Sequence, residues 1–123
     1  MDKKTILIVD DEPLLLHSLR LCLKNEFHVF IATSGTEALK IIKRLHIDCL
    51  ITDMKMPGMD GLELLEKVRN SGFNMHVIVS SGYINEVEES KFNKLKINHF
   101  LQKPYSPITL IELLKSYSNN KSI

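Results

Sequence analysis

Two hydrophobic rhythms take turns along the chain. Ile6–Val9 is a short unbroken apolar run rich in β-branched residues, the pattern of a strand covered on both faces. The spacing then becomes helical, with Leu15, Leu19 and Cys22 on one stripe. Phe27–Ala32 is a second strand, and Ser34-Gly35-Thr36-Glu37 is a capping box opening a helix that turns Ala38, Ile42 and Leu45 inward. Cys49–Thr52 is a third strand ending at Asp53. Asp60-x-x-Glu63 starts a third helix, with Leu65 and Val68 on its buried side and Gly72 just past its end. Met75–Ser80 is a fourth strand. Asn85–Leu95 is a thinner helix with only Val87, Phe92 and Leu95 as apolar anchors, and His99–Gln102 is a fifth strand. Ser106-Pro107 supplies an N-cap and a first-turn proline for a last helix bearing Leu110, Leu113, Leu114 and Tyr117.

Strictly alternating strands and helices joined by short loops predict an α/β fold, a five-stranded parallel sheet with helices on both faces. In such sheets ligands bind beyond the carboxyl ends of the strands, where the strand order reverses. The predicted strand ends carry Asp10 and Asp11 after the first, Asp53 after the third, Ser81 after the fourth and Lys103 after the fifth. If the order is 2-1-3-4-5, the first and third strands are neighbours and three carboxylates converge. Unit charges about 5 Å apart repel by about 3 kcal/mol at an effective dielectric near 20, so the cluster calls for a cation. Two or three carboxylates, with room left for water and a phosphate, suit Mg²⁺ better than a caged Ca²⁺. Lys103 adds a fixed positive charge and Ser81 a hydroxyl, which together suit a phosphoryl group on, or arriving at, a carboxylate.

Composition narrows the alternatives. The 123 residues have room for one domain and one core, and 44% hydrophobic with 25% charged residues is ordinary globular composition. A formal net charge of +1 gives no global reason to expect nucleic acid or an anionic membrane as partner. No stretch has the length of a membrane span, and the run after Asp2-Lys3-Lys4 is too short for a secretory signal, so a cytoplasmic protein is expected. Cys22 and Cys49 are isolated in apolar surroundings and are expected to be core thiols. The five histidines are scattered, without metal-helix spacing, and read as surface or boundary residues. The polar segment 118–123 is expected to fray.

Four stretches carry a resemblance: Ile6-Leu7-Ile8-Val9-Asp10-Asp11-Glu12-Pro13, Asp53-Met54-Lys55-Met56-Pro57-Gly58-Met59-Asp60-Gly61, Val79-Ser80-Ser81-Gly82-Tyr83 and Phe100-Leu101-Gln102-Lys103-Pro104-Tyr105. In their order and spacing the chain resembles the receiver domain of bacterial two-component response regulators, over essentially its whole length. The resemblance implies a flavodoxin-like, doubly wound sheet of order 2-1-3-4-5 and a phosphorylation switch rather than a conventional enzyme. It implies that Asp53 takes a phosphoryl group from a phosphohistidine of a sensor kinase or histidine phosphotransfer protein. Asp11 and Asp53 would ligate Mg²⁺, or Mn²⁺ in its place, directly, with Asp10 acting mainly through water and the Lys55 backbone carbonyl as a further ligand. Ser81 resembles the switch hydroxyl, Lys103 the phosphoryl-binding lysine, Phe100 the switch aromatic and Pro104 a cis proline.

The same resemblance implies an output face built from the fourth helix, fifth strand and last helix, a downstream effector or fused output domain, and a monomer or phosphorylation-dependent dimer. Lys55 and Tyr83 occupy positions that tune phosphoryl lifetime; both are large enough to shield the acyl phosphate, so a lifetime longer than in fast chemotaxis-type receivers is expected. Lys96-Ile97 departs from the family's usual Gly-Ala and bears on the loop beside the switch. Two other readings compete. A phosphorylation-independent scaffold would need neither Asp53, Lys103 nor the acidic pair. An aspartyl-phosphate hydrolase would carry a second carboxylate where Lys55 stands, and a cap for which 123 residues leave no room. No helix-turn-helix follows the last helix, so direct DNA binding is not expected.

Overall fold

The computed structural model describes residues 3–119. The elements in chain order are β1 (Thr5–Val9), α1 (Pro13–Leu23), β2 (His28–Ala32), α2 (Gly35–Arg44), β3 (Cys49–Asp53), α3 (Gly61–Asn70), β4 (His76–Ser81), α4 (Glu86–Lys94), β5 (His99–Gln102) and α5 (Pro107–Asn119). All four strand pairings are parallel and the sheet runs β2-β1-β3-β4-β5. The chain leaves β1 toward one edge through β2 and returns to place β3 on the other side of β1. The reversal of strand order therefore lies between β1 and β3, where a crevice opens at their carboxyl ends.

The two-residue period of the strands divides the core. Leu7, Val9, Leu50, Val77 and Val79 face one way and pack with Ala38, Ile42, Leu64, Leu65, Val68 and Phe92 of α2, α3 and α4. Ile6, Ile8, Cys49, Ile51, Ile78 and Leu101 face the other way, against Leu16, Leu19 and Leu23 of α1 and Leu110 and Leu114 of α5. Both faces of the sheet are thus covered, which is why the central strands read as unbroken apolar runs.

The helices begin where their caps say. Ser34 Oγ accepts from Glu37 N at 3.2 Å, Asp60 Oδ1 from Glu63 N at 2.9 Å, and Asn85 forms a full capping box with Glu88. Glu37 reaches one residue further back than a capping box requires, accepting from Thr33 N at 3.0 Å. The Asp10-Asp11 pair caps nothing at an N-cap position, because Glu12 holds that place before Pro13.

Val87, expected to be an apolar anchor of α4, is 66% exposed, and four further expectations need correction. The buried stripe of α1 is Leu16, Leu19 and Leu23, which keeps Leu19 but replaces Leu15 and Cys22 by the residues after them, so Cys22 is exposed and not a core thiol. The run Leu14-Leu15-Leu16 fits either phase, and the phase chosen is the one that turns Leu14 outward. Leu45 is 41% exposed because it is the C-cap of α2, with extended backbone that takes it off the helical stripe. Phe27 and Met75 precede their strands, although Phe27 is still buried. Ser118 and Asn119 are the last residues of α5 rather than part of a tail, and 120–123 lie outside the described residues.

Candidate functional site

The strand register brings the acidic residues together. Val9 pairs with Thr52 across the β1–β3 junction, so Asp10 and Asp53, the next residues on each strand, emerge side by side at the crevice. Asp10, Asp11 and Asp53 each offer a carboxylate oxygen, and these oxygens lie within 4.8 Å of one another. Asp10 is 2% exposed and Asp53 8%, whereas Asp11 is open to solvent. Asp53 is the last residue of β3 and Ser81 the last of β4, each still held in the ladder.

Lys103, just past β5, reaches across the sheet end to the carboxylates. Its Nζ donates to Asp10 Oδ2 at 2.8 Å and lies 3.3 Å from Asp53 Oδ2. Its backbone N donates to Ser81 O at 2.8 Å, which ties the lysine's start point to the end of β4. The Lys103–Pro104 peptide is cis. Asp10 Oδ1 also accepts from Glu12 N at 3.0 Å, so Asp10 is fixed by a backbone amide and an ammonium together. Sequence reasoning gave Asp10 a looser role and missed this direct pairing; a sequence shows that two residues end neighbouring strands, but not which carboxylate a long lysine will reach.

The electrostatics follow from burial and neighbours. Burial pushes the Asp53 carboxyl above its ordinary value and Asp10 adds to the rise, while the Lys103 charge opposes it. Burial works against the Lys103 ammonium, but its hydrogen bond to Asp10 and the two carboxylate charges outweigh that and leave it raised. Burial likewise lifts the Tyr105 phenol to about 12, so this neighbour adds no charge. Lys55 N lies 3.4 Å from Asp53 Oδ1, and the Lys55 side chain is exposed.

The floor under Asp53 is set by a glycine. Gly61 N donates to Met54 O at 2.9 Å, and a Cβ on Gly61 would stand 2.4 Å from Asp53 O. Only a residue without a side chain lets the start of α3 approach the end of β3 this closely. Gly61 lies inside the quoted Asp53–Gly61 motif, yet its spacing alone does not reveal which backbone it touches.

Ser81 does not face the carboxylates through a hydrogen bond here. Its Oγ donates to Tyr83 O at 2.7 Å and accepts from Tyr83 N at 3.1 Å, a closed local turn. Tyr83 is 76% exposed, and in this conformation it gives little of the shielding its size suggests. Phe100 is half-buried and stands edge-on to Phe92, ring centres 5.9 Å apart. A cavity of about 290 Å³ is lined by Ser81, Gly82, Tyr83, Ile84, Phe100, Leu101 and Gln102, so the hydroxyl and the aromatic border one space.

The described residues contain no helix long and apolar enough to cross a membrane. Comparison with known proteins shows the family. Residues 6–115 match the model of the response regulator receiver domain. Sporulation initiation phosphotransferase F of Bacillus subtilis is 33% identical over 129 residues, covering 99% of each chain. A CheY-like response regulator receiver domain protein from Methanospirillum hungatei superposes with a TM-score of 0.90 at 30% identity, covering 98% of each chain. Longer relatives exist: the hydrogenase transcriptional regulatory protein HoxA of Cupriavidus necator is 33% identical over 112 residues, and the match spans 23% of its length. With the matched sequence running through all five strands and into the last helix, the chain belongs to the response regulator receiver domains, the signalling switches of two-component systems.

Proposed function

We propose that Asp53 is the phosphoryl acceptor of this receiver, loaded from a phosphohistidine on a sensor kinase or a histidine phosphotransfer protein. A carboxylate oxygen of Asp53 attacks the phosphorus, the phosphorus–nitrogen bond breaks, and the imidazole leaves with the electron pair as an acyl phosphate forms. The observation that carries this reading is the pocket itself: three carboxylates with oxygens within 4.8 Å, crossed by a single ammonium.

Those residues fit a divalent ion. Three carboxylates against one lysine leave two negative charges uncompensated, and the donors are all oxygen, as Mg²⁺ or Mn²⁺ requires. Asp10, Asp11 and Asp53 would hold it, with the Lys55 carbonyl as a further donor. When bound, it supplies charge neutralisation at the transferring phosphoryl oxygens. Lys103 sits 3.3 Å from the accepting carboxylate and is placed to pair with the phosphoryl oxygens; it gives up part of its hold on Asp10 to do so.

A dianionic group on Asp53 also competes for the Ser81 hydroxyl, now spent on the Tyr83 backbone. Turning that hydroxyl toward the phosphoryl group opens its local turn and lets Phe100 enter the shared cavity. The signal then reaches the face of α4, β5 and α5, where α4 buries only Phe92 and is the helix least tied to the core. A cytoplasmic setting, an effector or fused output domain recognising that face, and a monomer or phosphorylation-dependent dimer complete the proposal. Lys55 and Tyr83, near the acceptor and switch, are proposed to lengthen the acyl phosphate's life once the loop closes.

The test is incubation with acetyl phosphate and Mg²⁺, read by intact mass. Wild type should gain one phosphoryl adduct, and Asp53→Asn none. Absence of an adduct on wild type, or equal labelling of both, removes the proposal.

A further inference from the structure

Arg69 lies in the last turn of α3, half-buried, and forms no ion pair among the described residues. Its guanidinium is spent on backbone carbonyls. Nη1 donates to Phe73 O at 3.0 Å and to Met75 O at 2.9 Å, in the turn between α3 and β4. Nε donates to Leu95 O at 2.8 Å and Nη2 to Lys96 O at 3.1 Å, at the far end of α4. A planar fork with fixed donor directions holds four acceptors in one geometry, which a lysine cannot. The last carbonyls of a helix lack partners within it and carry the negative end of its dipole, so a cation bonded there is favoured on both counts.

Among the described residues the other end of α4 has no side-chain grip on its backbone from another element, and only the partly buried Ile84 before it packs against the core. Its first turn is closed locally by the Asn85–Glu88 box, with Asn85, Glu86, Val87 and Glu89 exposed. Phe92 and the partly buried Leu95 pack into the core near the C-terminal end. There the chain also makes a tight turn through Lys96, whose φ of 59° is left-handed, and Arg69 grips that residue's carbonyl. The start of α4 follows directly on Ser81 and Tyr83, whose hydrogen bonds are the ones the switch would exchange.

We propose that Arg69 makes the C-terminal end of α4 a fixed pivot, so that switching swings the N-terminal half of the helix and leaves the Leu95–Lys96 turn in place. This rests on Asp53 being the phosphoryl acceptor, and it adds where the output helix moves and what restrains it. Without Arg69 the carbonyls of Leu95 and Lys96 turn to water and the whole helix becomes free to shift.

Hydrogen–deuterium exchange of the full chain, with and without beryllofluoride and Mg²⁺, tests this on wild type, Arg69→Lys and Arg69→Gln. The amides to read are Leu95, Lys96 and Asn98, bonded to Phe92 O, Asn93 O and Val77 O. In wild type, beryllofluoride should change exchange over 82–90 and leave these three unchanged. Arg69→Gln should speed Leu95 and Lys96 at least tenfold and spread the beryllofluoride response over 82–98, with Arg69→Lys in between. Unchanged exchange at Leu95 and Lys96 in Arg69→Gln, or a wild-type response as large at 95–98 as at 82–90, overturns the pivot. So does a uniform rise that includes β1 and β3, which would mean general loosening. A wild type silent to beryllofluoride throughout overturns the phosphoacceptor reading and the swing with it, while exchange in the two variants still decides the pinning.

Discussion

Replacing Asp53 with Asn should stabilise the metal-free protein and destabilise it relative to wild type once Mg²⁺ is added. The sign comes from forces that nearly cancel. Asp10 and Asp53 oxygens within 4.8 Å repel by about 3.5 kcal/mol at an effective dielectric near 20. Asp11 is exposed, so its repulsion at the same separation is screened to about 1 kcal/mol. Against these, Lys103 at 3.3 Å attracts the Asp53 charge by about 5 kcal/mol at that same dielectric. The charge terms balance to within about 1 kcal/mol, and desolvation of a carboxylate only 8% exposed tips the sum against the ionised form. The upward shift of the Asp53 pKa, caused first by burial, has the same sign.

An isosteric amide removes the charge and keeps one oxygen, which Lys103 can hold at the cost of the longer 3.4 Å contact from Lys55 N, so a gain of about 1 kcal/mol is expected, a few degrees in melting temperature for a domain of this size. With Mg²⁺ in tenfold excess over its dissociation constant, wild type gains about 1.4 kcal/mol, while a variant short of one ligand gains little. The order of stabilities therefore inverts along the titration. Thermal unfolding in EDTA and across an Mg²⁺ series reads both ends. A variant that melts below wild type in EDTA, or one whose melting temperature climbs with Mg²⁺ as steeply as wild type, would refute the electrostatic account of the pocket.

Three further outcomes can be checked. Gly61→Ala puts a methyl 2.4 Å from Asp53 O, which forces α3 and β3 apart; a loss of about 1–3 kcal/mol in urea unfolding and slower labelling by acetyl phosphate should appear together. Lys96→Gly relieves a left-handed residue at φ 59° and should raise stability by about 0.5–1 kcal/mol, provided the Arg69 bonds to the turn survive, as seen in the midpoint of urea unfolding. His76 is held below its ordinary value by burial first and the Arg69 charge second. The unfolded chain therefore binds this proton at higher pH than the folded one. Stability should be full above about pH 6.5 and fall as pH drops through the lowered folded value, and His76→Gln should flatten that fall in unfolding curves between pH 7 and 5.

The parts of the fold that were legible are those fixed by local rules. Buried parallel strands show as β-branched runs, and Ser34, Asp60 and Asn85 mark helix starts because an N-cap needs an oxygen there. Strand-end positions then named Asp10, Asp53, Ser81 and Lys103 before any geometry was known. Where local rules are degenerate, sequence could not choose. Leu14, Leu15 and Leu16 support two helical phases, and only packing against the sheet selects the one that leaves Cys22 in solvent. Arg69 gives no signal at all, since its partners are backbone carbonyls, which every residue has, and they come from segments 26 and 27 positions away as well as from its own turn.

The same division separates the charge-bearing half of the site from the half proposed to switch. Asp10, Asp53 and Lys103 are held by strand ends and by one another, and that arrangement would survive any rotation of a surface side chain. Ser81 and Phe100 are different: the hydroxyl has a local alternative in the Tyr83 backbone, and the aromatic has a cavity of about 290 Å³ beside it. The proposed switch asks these two side chains to leave one arrangement for another, and a bias of a few kcal/mol, the scale of one phosphoryl hydrogen bond and one ion pair, is what phosphorylation would supply. In the proposed function, the rigid half therefore decides whether a phosphoryl group is held, and the half with a second place to go decides what the rest of the molecule does about it.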